Sequence, residues 1–139
     1  MKSLIIRKFQ SRDSKRVIKL WKDIFPNDPP WNEPSGIIAR KLRRQRDLFL
    51  VGVIDRVVVA TVLGGYDGFR GWIYHLAVDP HYRKRGIGKM MISAIEKRIR
   101  NQGAVKINLQ VRASNTDVIR FYRELGYRSE THSSLGKLL

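Results

Sequence analysis

Apolar positions follow a helical spacing most clearly between Gly86 and Gln102. Apolar side chains recur there at intervals of three and four, at Ile87, Met90, Met91, Ala94, Ile95 and Ile99. This spacing places them on one face of a helix, and Gly103 is suited to end it. A similar pattern predicts an earlier helix that begins near Ser11 or Asp13, either of which can cap free N–H groups, and ends at a proline-rich loop.

Extended stretches surround these helices. Two apolar runs, Leu48–Ile54 and Val57–Leu63, are separated only by Asp55-Arg56, which predicts a β-hairpin. The remaining patterns predict strands over Ser3–Phe9, Trp72–Val78, Lys106–Val111 and from Tyr127 onward, a loop over Gly64–Gly68, and helices from Asn32–Pro34 and over Asn115–Leu125. The order β-α-α-β-β-β-α-β-α-β predicts an α+β fold, a mixed β-sheet with helices on both faces, in a single domain over residues 1–139.

Length and composition fit that reading. A chain of 139 residues with 42% hydrophobic positions can build one packed core. No apolar run approaches the roughly 20 residues that span a bilayer, and the start, Met1–Arg7, lacks the apolar stretch of a signal peptide. We therefore expect a cytoplasmic protein.

The chemistry-bearing residue types narrow the function further. Cysteine is absent, which excludes disulfides, cysteine-zinc sites and a cysteine nucleophile. The three histidines (His75, His81 and His132) show no metal-ligand spacing, so no metal is expected. The net charge of +16 predicts attraction to anions, which include nucleic acid, acidic membranes and a polyanionic cofactor.

A candidate phosphate site lies at the start of the clearest helix. Free N–H groups at a helix start suit phosphate oxygens, and Gly86 and Gly88 let a ligand approach the backbone. Basic side chains surround them at Arg83, Lys84, Arg85 and Lys89. Met90 and Met91 stand where a P-loop needs Ser or Thr and where a dinucleotide fingerprint needs its third glycine, which excludes both. The segment is either a phosphate-binding turn of another kind or a basic helix start without a ligand.

The last predicted helix carries a second candidate. Val118, Phe121, Tyr122 and Leu125 share one helical face, which is typical of core packing. The Tyr122 hydroxyl, with an ordinary pKa of about 10, also suits proton donation to a thiolate leaving group. The pattern leaves Tyr122 as a core residue or as a catalytic acid.

Both segments resemble motifs of the GNAT N-acetyltransferase family. Arg83-Lys84-Arg85-Gly86-Ile87-Gly88 resembles the family's Gln/Arg-x-x-Gly-x-Gly/Ala signature, with Val78-Asp79-Pro80 before it as usual. Val111–Asn115, followed by Phe121-Tyr122 and Leu125-Gly126-Tyr127, resembles its second cofactor motif. The element order also fits, so the resemblance covers almost the whole chain. Three further segments resemble the small stand-alone YpeA-type acetyltransferases: Leu48–Val51, Gly64–Gly68 and Ser134–Lys137.

The resemblance implies an N-acetyltransferase that moves an acetyl group directly from acetyl-coenzyme A to an amine of a small molecule, a protein N-terminus or a lysine. It implies that the strand ending Leu76-Ala77-Val78 splays from Lys106–Val111, so that the pantetheine arm lies between them. N–H groups near Leu76, Ala77 and Val78 would polarise the thioester carbonyl. The backbone amides that would hold the pyrophosphate are those of Arg83, Lys84, Arg85, Gly86, Ile87, Gly88 and Lys89. Asn115 would contact the cofactor, and Tyr122 would protonate the departing thiolate.

The acceptor side is less defined. Gln110 stands where related ribosomal-protein N-terminal acetyltransferases have a glutamate base, and an amide does not serve as a base near neutral pH. Tyr74, His75 or a water chain remain as alternatives, of which histidine has the best-suited pKa. Candidate lining residues of an acceptor pocket are Trp31, Tyr66, Trp72 and His132, with Asp28, Glu33 and Asp67 as acidic residues that the fold can bring together.

The basic charge leaves a second hypothesis open. Arg40–Arg46 is either a solvated helix face or the binding surface of a nucleic-acid- or ribosome-associated module with weak or no catalysis. Such binding would weaken steeply with salt, and no sequence motif indicates it. We expect no membrane partner, and a monomer or homodimer.

Overall fold

The computed structural model describes residues 3–139, so Met1 and Lys2, which enter the signal-peptide prediction, lie outside the described residues. It divides into two compact units, of which the first ends at Leu109 and the second begins at Gln110. The first unit contains five strands: β1 (Ile5–Lys8), β2 (Phe49–Ile54), β3 (Val57–Tyr66), β4 (Gly71–Val78) and β5 (Ile107–Leu109). Its helices are α1 (Ser14–Ile24), α2 (Pro34–Arg43) and α3 (Ile87–Asn101), and the second unit contains α4 (Thr116–Glu124).

The strands form one mixed sheet in the order β1-β2-β3-β4-β5. β1 to β4 are antiparallel neighbours, whereas β5 runs parallel to β4. Asp55 and Arg56 join β2 to β3 with φ angles of 49° and 65°. Positive φ at both central residues is what a tight two-residue hairpin turn requires. The predicted α+β architecture, with its hairpin and its parallel pair, is therefore confirmed.

Helices cover both faces of this sheet. α1 and α2 pack on one face in a buried cluster that includes Val17, Leu20, Trp21, Ile38, Phe49, Val51, Leu63 and Ala77. α3 packs on the other face, where glycines let it approach closely. A Cβ at Gly64 would lie 2.8 Å from the Ile95 side chain, and one at Gly71 would lie 2.5 Å from Ile99. These glycines therefore set the distance between α3 and the sheet.

Two element predictions are wrong. The predicted loop Gly64–Gly68 begins too early, because β3 continues to Tyr66 and pairs with β4 up to Gly71. The predicted strand from Tyr127 onward is absent, since residues 125–139 of the structure contain no helix or strand. The apolar residues beyond Tyr127 are the exposed Leu135, Leu138 and Leu139, so this segment offers no buried face to a sheet.

Only some of the predicted helix caps are present in the structure. Asp13 does not cap α1; its buried carboxylate accepts two hydrogen bonds from Arg7, at 2.8 and 3.0 Å, and one from the Gln10 N–H. Glu33 caps α2 by accepting from the N–H groups of Ser35 and Gly36. Asn115 caps α4 as predicted, with Oδ1 3.4 Å from the Val118 nitrogen. Within residues 3–139, no helix combines the length and the apolar character that crossing a membrane requires.

Candidate active site

The site in the first unit is built around a β-bulge in β4. Tyr74 of β4 pairs with Leu63 of β3, and Ala77 of β4 pairs with Thr61 of β3. Ala77 lies three residues after Tyr74, whereas Thr61 lies only two residues before Leu63. His75 and Leu76 therefore share the space of one residue, and His75 takes a φ of 49°. This left-handed conformation costs a non-glycine residue roughly 1 kcal/mol, so other contacts must hold it.

A short chain of hydrogen bonds holds the bulge. The indole Nε1 of Trp21 on α1 donates to the Thr61 hydroxyl at 2.8 Å. That hydroxyl in turn donates to the carbonyl oxygen of His75 at 3.2 Å. Thr61 is completely buried. It is the one polar residue in the apolar run Val57–Leu63, and this break in the run is the signal in the sequence that could have pointed to it.

The bulge lies where β4 and β5 separate. β5 pairs only with Gly71, Trp72 and Ile73. Among residues 3–109, no strand pairs with Tyr74–Val78 on that side. The expected splay is therefore present. An open strand edge offers backbone N–H and C=O groups to an extended ligand, which can bind as an added strand.

The predicted phosphate-binding turn lies between the end of β4 and the start of α3. Lys84 and Gly86 have positive φ angles of 62° and 76°, and no side chain caps the start of α3. The first N–H groups of that helix lack partners within it, and apart from Gly86 and its chain neighbours no atom of the described residues lies within 4 Å of the position that a Gly86 Cβ would occupy. Arg83, Lys84, Arg85 and Lys89 are all exposed around it. The geometry and charge of this turn fit a pyrophosphate.

Asp79 anchors the beginning of the turn. Its carboxylate accepts from the His81 N–H at 2.9 Å and pairs with the Arg16 guanidinium of α1. Burial raises the pKa of Asp79, but the hydrogen bonds from His81 and Arg16 outweigh it and hold the pKa below its ordinary value. The turn is thereby tied to α1 as well as to β4. The sequence pattern did not predict this role of Arg16, because the two partners lie far apart along the chain.

A cavity of about 320 Å³ opens beside the bulge on the α1/α2 face. Its lining comes from α1, the proline-rich loop and β4: Trp21, Lys22, Phe25, Pro26, Asp28, Pro29, Pro30, Asn32, Glu33, Pro34 and His75. The His75 ring contacts the Trp21 ring edge-on at 5.0 Å and the Phe25 ring at 4.8 Å. Its Nε2 lies 3.5 Å from Oδ2 of Asp28. Burial lowers the pKa of His75, and the charge of Asp28 opposes that effect only in part.

The other acceptor candidates are distributed differently. Asp28 and Glu33 line the cavity, but Asp67 does not; its carboxylate accepts from the N–H groups of Phe69 and Arg70 at 2.7 Å. Trp31 is about half exposed and lies outside the lining. Trp72 and Tyr74 stack on each other along β4, with ring centroids 6.5 Å apart.

Tyr66 and His132 do not join this group. Tyr66 ends β3, and its backbone exchanges hydrogen bonds with the Gln45 side chain. His132 is exposed in the second unit.

The second unit contains Tyr122 and Asn115. The Tyr122 side chain is buried, and its ring makes edge-on contacts with Phe121 at 5.0 Å and Tyr127 at 5.6 Å. Burial raises the pKa of Tyr122 to about 12, so its hydroxyl keeps its proton at neutral pH. Gln110, which replaces the expected glutamate, donates to the Ser134 hydroxyl. The ring thus packs as a core residue, and its hydroxyl is protonated at neutral pH.

The basic run on α2 is not wholly a solvated face. Arg40 donates to the Trp31 carbonyl oxygen at 3.0 Å. Lys41 is half-buried and donates to the carbonyl oxygen of Gly64, and burial lowers its pKa to about 8. Two of the cations in this run therefore serve the internal structure of the first unit.

Comparison with known proteins gives consistent results. The model of the acetyltransferase (GNAT) family matches residues 14–127. An acetyltransferase of Yersinia pestis (strain Pestoides F) is 43% identical over 136 residues, which are 96% of this chain and 94% of that protein. The structure of Ard1 from Thermoplasma volcanium is 26% identical, with a TM-score of 0.79 over 88% of this chain and 81% of the other. The PaiA N-acetyltransferase from Thermoplasma acidophilum, solved with coenzyme A, shares the fold at 21% identity, with a TM-score of 0.80 over 94% and 93% of the chains.

Proposed function

The chain belongs to the acetyltransferase (GNAT) family, and on that premise we propose which of its residues bind each substrate of an acetyl-coenzyme A-dependent N-acetyltransferase. The enzyme transfers an acetyl group from acetyl-coenzyme A to an amine. The observation that carries the proposal is the open edge of β4 directly before a basic glycine turn. The family match at residues 14–127 crosses both units, which supports one functional domain over residues 1–139.

The donor side uses backbone more than side chains. We assign Leu76, Ala77 and Val78 to the pantetheine arm, because their edge of β4 is free of β5. The N–H groups of residues 83–89 hold the pyrophosphate, and Arg83, Lys84, Arg85 and Lys89 add charge to it. Asn115 is the contact from the second unit.

The reaction needs little covalent chemistry from the protein. Acetyl-coenzyme A supplies an acetyl group already activated as a thioester. N–H groups near Leu76–Val78 stabilise the negative charge that develops on its carbonyl oxygen. Tyr122 gives a proton to the departing sulfur, a role that its protonated state at neutral pH supports.

The cavity beside His75 is the proposed acceptor site. Two carboxylates, Asp28 and Glu33, and one cation, Lys22, are among its lining residues. The whole chain carries a net charge of +16, whereas these three lining side chains carry more negative than positive charge. This local negative charge suits an acceptor that arrives as an ammonium ion. The cytoplasm is the proposed location, and the assembly a monomer or homodimer. A binding module without catalysis is disfavoured, because the chain matches the acetyltransferase family over residues 14–127 and relatives named acetyltransferase over almost its whole length.

Calorimetric titration with acetyl-coenzyme A tests the donor side. The double variant Arg83→Glu/Arg85→Glu should weaken binding at least about tenfold, because it removes two charge contacts at exposed side chains, worth roughly 0.7 kcal/mol or more each. Lys15→Glu/Lys97→Glu makes the same change in net charge at exposed sites on α1 and α3 and should change affinity less than about threefold. Equal losses in both variants would show that net charge, and not the turn, holds the pyrophosphate. No binding by the unaltered protein would contradict the assignment of the donor site.

A further inference from the structure

His75 occupies a position from which it can act on the acceptor. We propose that His75 is the general base that takes the proton from the acceptor amine, and that Asp28 is the positioning residue that stabilises the resulting imidazolium. This inference rests on the proposed function, because it takes the cavity beside the bulge as the acceptor site. It resolves the choice that the sequence leaves among Tyr74, His75 and water.

The backbone fixes which face His75 occupies. The bulge turns its side chain toward α1 and α2, against Trp21 and Phe25, and into the lining of the cavity. The Thr61 hydrogen bond to its carbonyl oxygen keeps the backbone in that conformation. With φ at 49°, the residue is held in a conformation that it would not adopt by preference. Strain of this kind, held by buried contacts, is commonly found where a side chain must be aimed.

The surroundings keep the imidazole neutral and able to accept a proton. The charged groups that line its cavity are Lys22 from α1 and Asp28 and Glu33 from the proline-rich loop, while β3 presents the neutral Thr61 behind it. Burial lowers the pKa of His75 below its ordinary value of 6.5, so most molecules carry the neutral form near pH 7. Once the ring takes up a second proton, its Nε2 has Asp28 Oδ2 at 3.5 Å as the counter-charge.

Tyr74 is a weaker candidate. Burial and the charge of Asp67 both raise its pKa above 10, so it carries no negative charge near pH 7 with which to accept a proton. Its side chain is about half exposed and does not line the cavity. Tyr74 therefore provides a neighbouring control on the same strand.

The proton balance is complete with groups of this chain and solvent. The ammonium ion of the acceptor first loses one proton to solvent. As the neutral amine nitrogen then bonds to the acetyl carbon and the carbon–sulfur bond breaks, one proton of that nitrogen passes to the ring nitrogen of His75 that does not face Asp28, and the proton of Tyr122 passes to sulfur. The products are an acetamide and free coenzyme A. His75 then releases its proton to solvent, and Tyr122 regains one from it, so neither residue is consumed.

Steady-state kinetics provide the first test. Coenzyme A release is followed with cadaverine, pentylamine and a lysine-containing tetrapeptide, and the amine with the highest kcat/KM is used for all variants. His75→Asn, a residue that tolerates positive φ, should lower kcat about 100-fold or more, with acetyl-coenzyme A affinity within about twofold. Tyr74→Phe should stay within about threefold of the unaltered enzyme. His75→Gln is the second variant, and retained cofactor affinity shows that each has folded.

The pH dependence separates a base from a merely structural histidine. The unaltered enzyme should show a break in log kcat/KM below pH about 6.5, and His75→Asn should lack it. Asp28→Asn removes the charge that raises the pKa of His75, so the break should move to lower pH by roughly one unit. The same shift should appear in an NMR titration of the His75 ring in the protein without substrates.

The possible outcomes test the role of His75 and the role of Asp28 separately. Turnover and an unchanged pH break in both His75 variants would overturn the role of His75 while leaving the acetyltransferase intact. A His75 titration that Asp28→Asn does not move would overturn the role of Asp28. Absence of coenzyme A release by the unaltered enzyme with all three amines, despite cofactor binding, would count against the proposed acceptor site and against the base together.

Discussion

Thr61 offers the sharpest test of how the site is held in place. Thr61→Val preserves the shape of a completely buried side chain and replaces its hydroxyl with a methyl group. On apolar burial alone, the substitution should be neutral or stabilising. The hydrogen-bond chain from Trp21 through Thr61 to the His75 carbonyl predicts the opposite.

The magnitude follows from the groups left without a partner. The Trp21 side chain is 1% exposed, so its indole N–H would lose a 2.8 Å bond and gain no water in return. An unsatisfied buried donor costs about 1–3 kcal/mol. Loss of the bond to the His75 carbonyl adds about 1 kcal/mol. We expect Thr61→Val to lower the free energy of unfolding by about 2–4 kcal/mol, a large share of the 5–15 kcal/mol typical of a folded domain.

Thr61→Ser is the matched control, because it keeps the hydroxyl and removes one methyl group. It should cost only about 1 kcal/mol, from the lost apolar contact. Urea denaturation followed by circular dichroism measures both, with unchanged m-values as the condition for comparing them. A valine variant as stable as the unaltered protein, or more stable than the serine variant, would refute the claim that this hydroxyl supports the bulge.

Two other expectations concern single side chains. Tyr122→Phe keeps the ring contacts with Phe121 and Tyr127, so kcat for coenzyme A release should fall roughly 10- to 100-fold while acetyl-coenzyme A affinity stays within about twofold; unchanged turnover would contradict the acid role. Burial raises the pKa of Asp13, but hydrogen bonds from Arg7 and Gln10 outweigh it and lower the pKa. Asp13→Asn should therefore cost roughly 2 kcal/mol at pH about 7 and almost nothing at pH about 2, since the contribution of Asp13 is lost as pH falls through its lowered folded pKa. Equal losses in urea denaturation at both pH values would contradict this.

The fold was largely predictable because local patterns and sheet packing agree. Of the apolar positions predicted for one face of α3, Ile87, Met91, Ile95 and Ile99 are buried, whereas Met90 is about half exposed. The two-residue break at Asp55-Arg56 is the hairpin turn. One error lies at the end of an element, where propensity competes with pairing, and the other is a whole predicted strand, from Tyr127 onward, that does not form. Gly64 and Gly65 look like a loop in sequence, yet they remain in β3 because they pair with Ile73 and Trp72 of β4, and Gly64 also lies where α3 packs closely on the sheet.

The candidate site was predictable only where the chemistry is contiguous in sequence. The basic glycine turn at residues 83–89 could be found because its residues are neighbours. The partners of His75 are far from it along the chain, since Asp28 comes from the α1–α2 loop and Thr61 from β3. A bulge also interrupts the alternation of side chains between the two faces of a strand, so the face on which His75 lies could not be derived from the strand pattern. His75, Asp28 and Thr61 therefore form no motif of adjacent residues.

That failure of alternation bears on why the proposed donor site and the proposed acceptor site both include residues of β4. Tyr74 pairs with Leu63, and Ala77 lies with Leu63 in the α1/α2 cluster, although an odd spacing would put them on opposite faces of a regular strand. The extra residue that restores them to one face also turns His75 toward α1 and leaves the edge of Tyr74–Val78 free of β5. The donor edge and the proposed base are therefore consequences of the same backbone irregularity, and a change that removes the bulge must disturb both.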